Sequence, residues 1–103
     1  MNAALFTVAL PFEAGHPTFA GHFPGRPIVP GVQLIDRAKR LIEARQGFVL
    51  GGLQMAKFVS PAGPGEPLEL DYRLDGGGVT FEIRSGSRRV VTGRFTGAGP
   101  AAP

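Results

Sequence analysis

The sequence predicts an α+β protein in which a curved antiparallel sheet of five or six strands wraps around one central helix. One stretch, residues 31–46, has helical periodicity. The stretches after it alternate apolar and polar side chains with a period of two, and short glycine-containing turns separate them, which favours a meander of antiparallel strands. Because the helix has one apolar face and the sheet needs one face covered, we expect the sheet to wrap around the helix.

The first predicted strand is a short apolar run over residues 4–10, and a long loop follows it over residues 11–30. Three prolines of this loop, Pro24, Pro27 and Pro30, each fix φ and remove a backbone donor. The loop is therefore predicted to be stiff enough to hold a side chain in one place.

The predicted helix covers residues 31–46, because Pro30 suits the start of a helix and Gly47 suits its end. Five apolar side chains fall within an arc of about 120° at 100° per residue, which forms one apolar face. They are Leu34, Ile35, Ala38, Leu41 and Ile42. Asp36 falls on the polar side, and Arg40 follows four residues later, where the two side chains can form an ion pair.

Four further strands are predicted after the helix. The first is a long strand over residues 48–58, in which Gly51 and Gly52 mark a bulge or a close approach of two backbones. The other strands cover residues 68–74, 79–84 and 89–96, and the turns cover residues 60–67, 76–78 and 85–87. Residues 1–97 are predicted to form a single domain, and residues 98–103 a disordered tail.

The composition excludes several classes of protein. A chain of 103 residues has room for one modest core. Cysteine is absent, which excludes disulfides and thiolate metal sites, and no metal site is predicted. No apolar run approaches the roughly 20 residues that span a bilayer, and the N-terminus lacks the features of a secretory signal. We therefore expect a cytoplasmic protein that is not associated with a membrane.

The net charge of +3, supplied mostly by arginine, points to an acidic partner. Nucleic acid is not the expected partner, because no basic run is longer than two residues and aromatic side chains do not interleave with the basic ones. A solvated basic surface without a partner is the alternative interpretation.

His22, Gly31 and Asp36 place an imidazole, a helix start and a carboxyl group within one short segment. Histidine titrates near neutrality and can abstract a proton from the carbon next to a carbonyl. An amide at the start of a helix carries partial positive charge and can stabilise a carbonyl oxygen on which negative charge develops. A carboxyl group can act as a second acid. These groups together suit proton transfer next to a carbonyl.

A family resemblance rests on residues 22–32, which read His-Phe-Pro-Gly-Arg-Pro-Ile-Val-Pro-Gly-Val, followed by the acid at position 36. This pattern resembles the active-site segment of the β-hydroxyacyl-acyl carrier protein dehydratases of the hot-dog fold. Residues 57–61, Lys-Phe-Val-Ser-Pro, and residues 64–68, Pro-Gly-Glu-Pro-Leu, are similar to the strand and turn that follow the helix in that family. The resemblance extends over nearly the whole chain.

The resemblance implies a hot-dog fold and a homodimer with two active sites at its interface. In each site the histidine of one chain faces the acid of the other. The implied reaction is dehydration of (3R)-hydroxyacyl thioesters, carried on the phosphopantetheine arm of acyl carrier protein, to trans-2-enoyl thioesters. Such a lyase serves fatty-acid or related polyene or polyketide lipid biosynthesis and needs no cofactor of its own. Acyl carrier protein is the implied partner.

The resemblance also assigns roles to individual residues. By position, His22 is the catalytic acid–base residue, Asp36 is the second catalytic acid, and the amide of Gly31 holds the thioester carbonyl. Three neighbours of these residues are expected to contact the substrate: Phe23, Pro30 and Val32. Basic side chains are expected to dock the acidic carrier protein. The candidates are Arg26, Lys57, Arg88 and Arg89, with Arg84 and Arg94 as further ones.

Asp36 leaves alternatives open, because many members of the family carry glutamate at this position. Aspartate occurs in the branch that also isomerises the double bond, and one residue does not establish that activity. A plain ion pair of Asp36 with Arg40 accounts for the spacing without catalysis. Two other functions are consistent with the same fold, namely a non-catalytic module that binds acyl thioesters and an acyl thioesterase.

Overall fold

The computed structural model describes residues 4–11, 30–63, 65–97 and 99–100. One α-helix, α1, and seven strands, β1 to β7, lie within these ranges. In chain order they are β1 Leu5–Ala9, α1 Gly31–Gln46, β2 Phe48–Val49, β3 Gly52–Phe58, β4 Glu69–Asp75, β5 Gly78–Ser85, β6 Arg88–Thr96 and β7 Gly99–Pro100.

Five strands form one antiparallel sheet in the order β1-β4-β5-β6-β3. This confirms the predicted architecture of one helix and a sheet of five strands. The meander holds only for β4, β5 and β6, because β3 pairs with the far side of β6 and β1 pairs with β4. Residues 59–68 therefore cross from one edge of the sheet towards the other, which leaves β3 as an edge strand.

The helix begins and ends where the sequence predicts. It starts directly after Pro30 and stops before Gly47, whose φ of 75° is a left-handed conformation that glycine adopts without a steric penalty. The apolar face is buried through Leu34, Ile35, Ala38 and Ile42, and Leu41 is partly buried beside them. The face packs into the core formed with the sheet, whose largest buried side chains are Tyr72 and Phe95.

The single long strand predicted over residues 48–58 is wrong, because the chain divides there into β2 and β3. Between them Leu50 turns into the core, and its N–H donates to the Glu43 carboxylate at 2.8 Å. The predicted close approach is at Gly51, whose N–H donates to the carbonyl of Thr96 at 2.7 Å. A Cβ on Gly51 would lie 3.0 Å from that oxygen. The bulge lies further along β3, between Leu53 and Met55.

The turn predicted over residues 76–78 uses only the first two of them. Gly76 and Gly77 have φ values of 57° and 86°, and two positive φ angles are typical of the tight hairpin turns that match the twist of the strands. Gly78 already belongs to β5 and pairs with Asp75. In the tail over residues 98–103, Gly99 and Pro100 pair with β2, and the other residues lie outside the described part.

Glu43 ties the helix to the chain segment between β2 and β3. Its carboxylate accepts hydrogen bonds from the backbone N–H of Leu50 and from the Lys39 ammonium, the latter at 3.0 Å. The hydrogen bond from Leu50, helped by Lys39, holds the pKa of Glu43 below its ordinary value of 4.5 even though partial burial opposes the shift. The ionised carboxylate of Glu43 therefore helps to stabilise the backbone at Leu50, where the chain leaves β2 before β3 begins.

We expect Glu43→Gln to lower the free energy of unfolding by about 1–2 kcal/mol at neutral pH, because a hydrogen bond to a charged acceptor is replaced by a weaker one. Because the pKa of Glu43 is lower in the folded protein than its ordinary value of 4.5, the ionised carboxylate stabilises the parent protein fully at pH values well above 4.5. This stabilisation is lost as the pH falls through the folded-state pKa. The variant should therefore lose less stability on acidification. Urea unfolding at several pH values measures both effects.

The matched control is Glu82→Gln, since Glu82 lies on the sheet surface and its ion pair with Arg89 is 3.9 Å long. An equal loss of stability in both variants at neutral pH would contradict the role given to Glu43.

Candidate active site

The start of α1 presents backbone donors that have no partner within the helix. Pro30 precedes the helix with φ −60° and ψ 131°, and none of the described side chains caps it. The N–H groups of Gln33 and Leu34 both donate to the carbonyl of Pro30, at 3.0 and 3.4 Å. The N–H groups of Gly31 and Val32 belong to the first turn, where the helix supplies no carbonyl that could accept a hydrogen bond from them. They therefore carry partial positive charge. They are suited to bind the oxygen of a polarised carbonyl.

An open pocket of about 300 Å³ lies beside this helix start. Gly31 and Leu34 line it from the helix, and Val90 and Val91 line it from β6. The remaining wall is a continuous piece of chain, residues 58–62, which we call the pocket wall. Most of these side chains are apolar, so the pocket suits a hydrocarbon chain next to the backbone donors of Gly31 and Val32.

Gly31 is needed for the close approach of an aromatic ring. A Cβ on Gly31 would lie 2.1 Å from Cε1 of Phe58, so the ring rests against the first residue of the helix. Phe58 ends β3, and its side chain is 57% exposed. The ring thus borders both the helix start and the solvent-exposed edge of the sheet.

Asp36 lies on the other side of the helix from this pocket. Its carboxylate forms an ion pair with the Arg40 guanidinium at 3.0 Å, and its side chain is 55% exposed. Asp36 borders a separate open groove, together with Gln33, Arg37 and Leu41. Within one chain the structure does not bring Asp36 into the pocket at Gly31.

The other predicted site residues fall into two groups. His22, Phe23 and Arg26 lie outside the described residues, so their placement remains a prediction. Pro30 and Val32 are described at the helix start, where Val32 is exposed. Sequence reasoning did not identify the pocket wall as a lining element, although its first residues belong to the stretch that resembles the dehydratase family. A large apolar residue at the end of an edge strand was the available signal.

The candidate docking cations differ in their freedom to meet a partner. Lys57 is exposed, and Arg89 is 64% exposed with one long ion pair. Arg88 instead donates to Ser60, Pro61 and Glu66. Two others belong to surface networks: Arg84 pairs with Glu69 and Asp71, and Arg94 pairs with Asp75.

The Arg84 network is electrostatically tight. The Arg84 guanidinium donates to Asp71 at 2.6 Å and to Glu69 at 2.9 Å. The hydrogen bonds from Arg84 hold the pKa of Asp71 below its ordinary value, and Thr7 adds another donor. Because these two carboxylates neutralise its charge and occupy its donors, Arg84 is a poor binding site for an acidic protein.

No helix among the described residues is both long and apolar enough to pass through a membrane.

Comparison with known proteins agrees with this fold. The model of the ApeI-like family, described as ApeI dehydratase, matches residues 2–94. Among curated relatives, the chain is 35% identical over 72 residues to the 3-hydroxyacyl-(acyl-carrier-protein) dehydratase FabZ of Haemophilus influenzae (strain PittEE), covering 60% of this chain and 49% of that protein. The FabZ of Chlamydia trachomatis serovar L2 is 32% identical over 96 residues, covering 78% of this chain and 63% of that protein.

Among solved structures, the dehydratase heterocomplex ApeI:P from Xenorhabdus doucetiae has a TM-score of 0.73 and 26% identity, and it covers 92% of this chain and 86% of that chain. The chain spans between about half and two thirds of the curated relatives it matches. The fold and the family match together define a hot-dog protein of the dehydratase class. Within that class, the chain belongs to the ApeI-like dehydratase family.

Proposed function

We propose that this protein dehydrates (3R)-hydroxyacyl thioesters, carried on acyl carrier protein, to trans-2-enoyl thioesters. The observation that carries the proposal is the helix start at Gly31, where backbone N–H groups without an acceptor among the described residues lie beside an apolar pocket that Gly31 lines. The FabZ relatives are named for the same reaction on carrier-bound substrates. The phosphopantetheine arm of the carrier brings the substrate, and no other cofactor takes part. The cytoplasmic location and the role in fatty-acid or related lipid synthesis belong to the same proposal.

The chemistry follows from where negative charge develops. His22 takes the proton from the carbon next to the thioester carbonyl, and the Gly31 N–H stabilises the charge that builds on the carbonyl oxygen. The carbon–oxygen bond at the next carbon then breaks, and the departing hydroxyl takes a proton from the protonated form of Asp36 and leaves as water. Proton exchange with the solvent afterwards returns His22 to its neutral form and Asp36 to its protonated form. The electron pair of the broken C–H bond becomes the new double bond, so the reaction consumes no oxidant or reductant.

A homodimer is the second part of the proposal, because β3 is an unpaired edge within the described residues. One side of β3 pairs with β6, and no strand of residues 4–11, 30–63, 65–97 or 99–100 pairs with the other side. Four large apolar side chains at or next to this edge are exposed: Leu53, Met55, Phe58 and Val59. A long apolar edge of this kind favours pairing with a second chain. Pairing through β3 puts the pocket beside Phe58 next to the partner, where the Asp36 of that partner can complete the site.

We expect Met55→Lys to weaken or abolish the dimer, because a charged side chain on an edge strand opposes pairing. Sedimentation velocity measures the change as a shift from the mass of two chains towards the mass of one. Leu5→Lys is the matched control, since Leu5 is 55% exposed on the opposite edge strand and Met55 is 52% exposed. A monomeric parent protein, or a dimer broken by the Leu5 substitution alone, would contradict pairing through β3.

The direct test of the activity is incubation of the protein with a 3-hydroxyacyl thioester of acyl carrier protein, followed by mass spectrometry. Loss of one water from the carrier-bound acyl group is the expected result. Release of free acid would indicate a thioesterase. Stoichiometric binding without any product would indicate a non-catalytic acyl-thioester module.

A further inference from the structure

The pocket wall, residues 58–62, runs from Phe58, the last residue of β3, into the long crossing between β3 and β4, and it has no regular secondary structure after Phe58. It nevertheless forms one side of the pocket, opposite Gly31 and Leu34. Ala62 is buried, whereas Val59 is exposed at the mouth. The position of this wall therefore sets how much room an acyl chain has beside the helix start.

One guanidinium holds the wall from the outside. Arg88, at the start of β6, donates through Nη1 to the hydroxyl of Ser60 and to the carbonyl of Pro61, both at 2.8 Å. Its Nη2 donates to Oε1 of Glu66, further along the same crossing. The planar fork of arginine suits three acceptors in one arrangement, which a lysine ammonium does not reproduce.

The second carboxylate oxygen of Glu66 accepts a hydrogen bond from within the same crossing. Oε2 of Glu66 accepts the N–H of Gly63 at 2.8 Å. The wall is also attached to β6 by Ser60, whose hydroxyl donates to the carbonyl of Arg89 at 2.5 Å, and by the N–H of Val59, which donates to Val90 at 2.8 Å. Arg88 and Glu66 thus link Ser60 and Pro61 of the pocket wall to Gly63 and Glu66 further along the crossing.

We propose that Arg88 and Glu66 are positioning residues that fix the width of the acyl pocket and so select the length of the acyl chain. The proposal rests on the function proposed above, and it gives Arg88 a role other than carrier docking. Neither side chain lines the pocket. Arg88 acts through the Ser60 hydroxyl and the Pro61 carbonyl, and Glu66 acts through Arg88 and the Gly63 N–H. Loosening the wall should reduce discrimination between chain lengths more than it reduces turnover of the preferred substrate.

The experiment compares Arg88→Met, Glu66→Gln and the double variant with the parent protein. The substrates are 3-hydroxyacyl thioesters of N-acetylcysteamine with short, medium and long acyl chains, which contain no carrier protein. The ratio of kcat/KM between the best and the worst chain length should fall on the order of tenfold, the size of effect that one misfitted methylene group produces. The two single variants should give similar falls, and the double variant should add little, because both residues act in one network.

Arg73→Met is the matched control, because Arg73 is an exposed arginine of the same sheet, on β4, and does not line the pocket. It should keep the parental ratio. Arg88→Lys should recover only part of it, because the ammonium keeps the charge and loses the fork.

Three outcomes would overturn the proposal. The first is an unchanged chain-length profile in Arg88→Met. The second is an equal loss for all chain lengths together with a lower Tm, which indicates general destabilisation. The third is a defect seen only with carrier-bound substrates and sensitive to salt, which indicates docking. Binding of saturated acyl N-acetylcysteamine thioesters, measured by calorimetry on the same variants, tests the selectivity even if the parent protein shows no turnover and the proposed function fails.

Discussion

Replacement of His22 by alanine is expected to lower kcat/KM for the dehydration by on the order of 10³-fold, because the reaction then lacks its general base. Among the described residues, the core is built from apolar side chains, mainly of α1 and the sheet. For a purely catalytic role of His22, we expect thermal unfolding of His22→Ala to match that of the parent protein. Turnover of a 3-hydroxyacyl thioester, followed by mass spectrometry, measures the loss.

His16→Ala is the matched control for this prediction, since His16 is the other histidine of the chain and lies outside the motif. It should retain the parental rate. Retention of activity in His22→Ala, or an equal loss in both variants, would remove His22 from the mechanism while leaving the pocket at Gly31 in place.

Asp36→Asn is expected to lower the rate by on the order of 10²-fold, because an amide cannot protonate the departing hydroxyl. The structure makes this the sharper prediction, since Asp36 is exposed, pairs with Arg40 and stands away from the pocket of its own chain. If its role were only that surface ion pair, the substitution would change activity little and stability by less than about 1 kcal/mol. Arg40→Gln, which breaks the same ion pair, separates the two cases because it should leave most of the activity.

A mixture of the two inactive variants tests whether each site uses two chains. In a mixed dimer of His22→Ala with Asp36→Asn, one site contains both defects and the other contains an intact histidine and an intact aspartate. Random pairing makes about half of the dimers mixed, so about a quarter of the parental activity should return after co-expression. No recovery, with mixed dimers shown to be present, would place the histidine and the acid of one site on the same chain.

The helix illustrates what could be predicted locally. Pro30 and Gly47 mark its ends because each acts on its own backbone, by a fixed φ and a missing donor or by a positive φ. The apolar face followed from a spacing that belongs to the helix itself, and so did the Asp36–Arg40 ion pair. The backbone donors at the helix start were also predictable, because unpaired N–H groups are a property of every helix N-terminus. Their role in binding a carbonyl stays a prediction.

The strand after the helix shows where such reasoning fails. The alternation over residues 48–58 indicated one strand, and the break at Leu50 arises from a contact with Glu43 on the preceding helix. The meander was likewise only partly right, because the pairing of β3 with β6 joins residues about 40 positions apart. Neither signal is present in the residues of the strand alone.

The sequence by itself determined the class of fold, the bounds of the helix and the segment that carries the candidate catalytic residues, because these depend on local backbone preferences and on the residue types in one motif. Only the tertiary structure decided that β3 is an exposed edge, that Asp36 faces away from its own pocket, and that Arg88 serves the pocket wall. Each of these three features depends on which segments distant in the sequence contact each other. These contacts follow from packing the whole apolar face of the sheet against the helix, and no short stretch of residues specifies them.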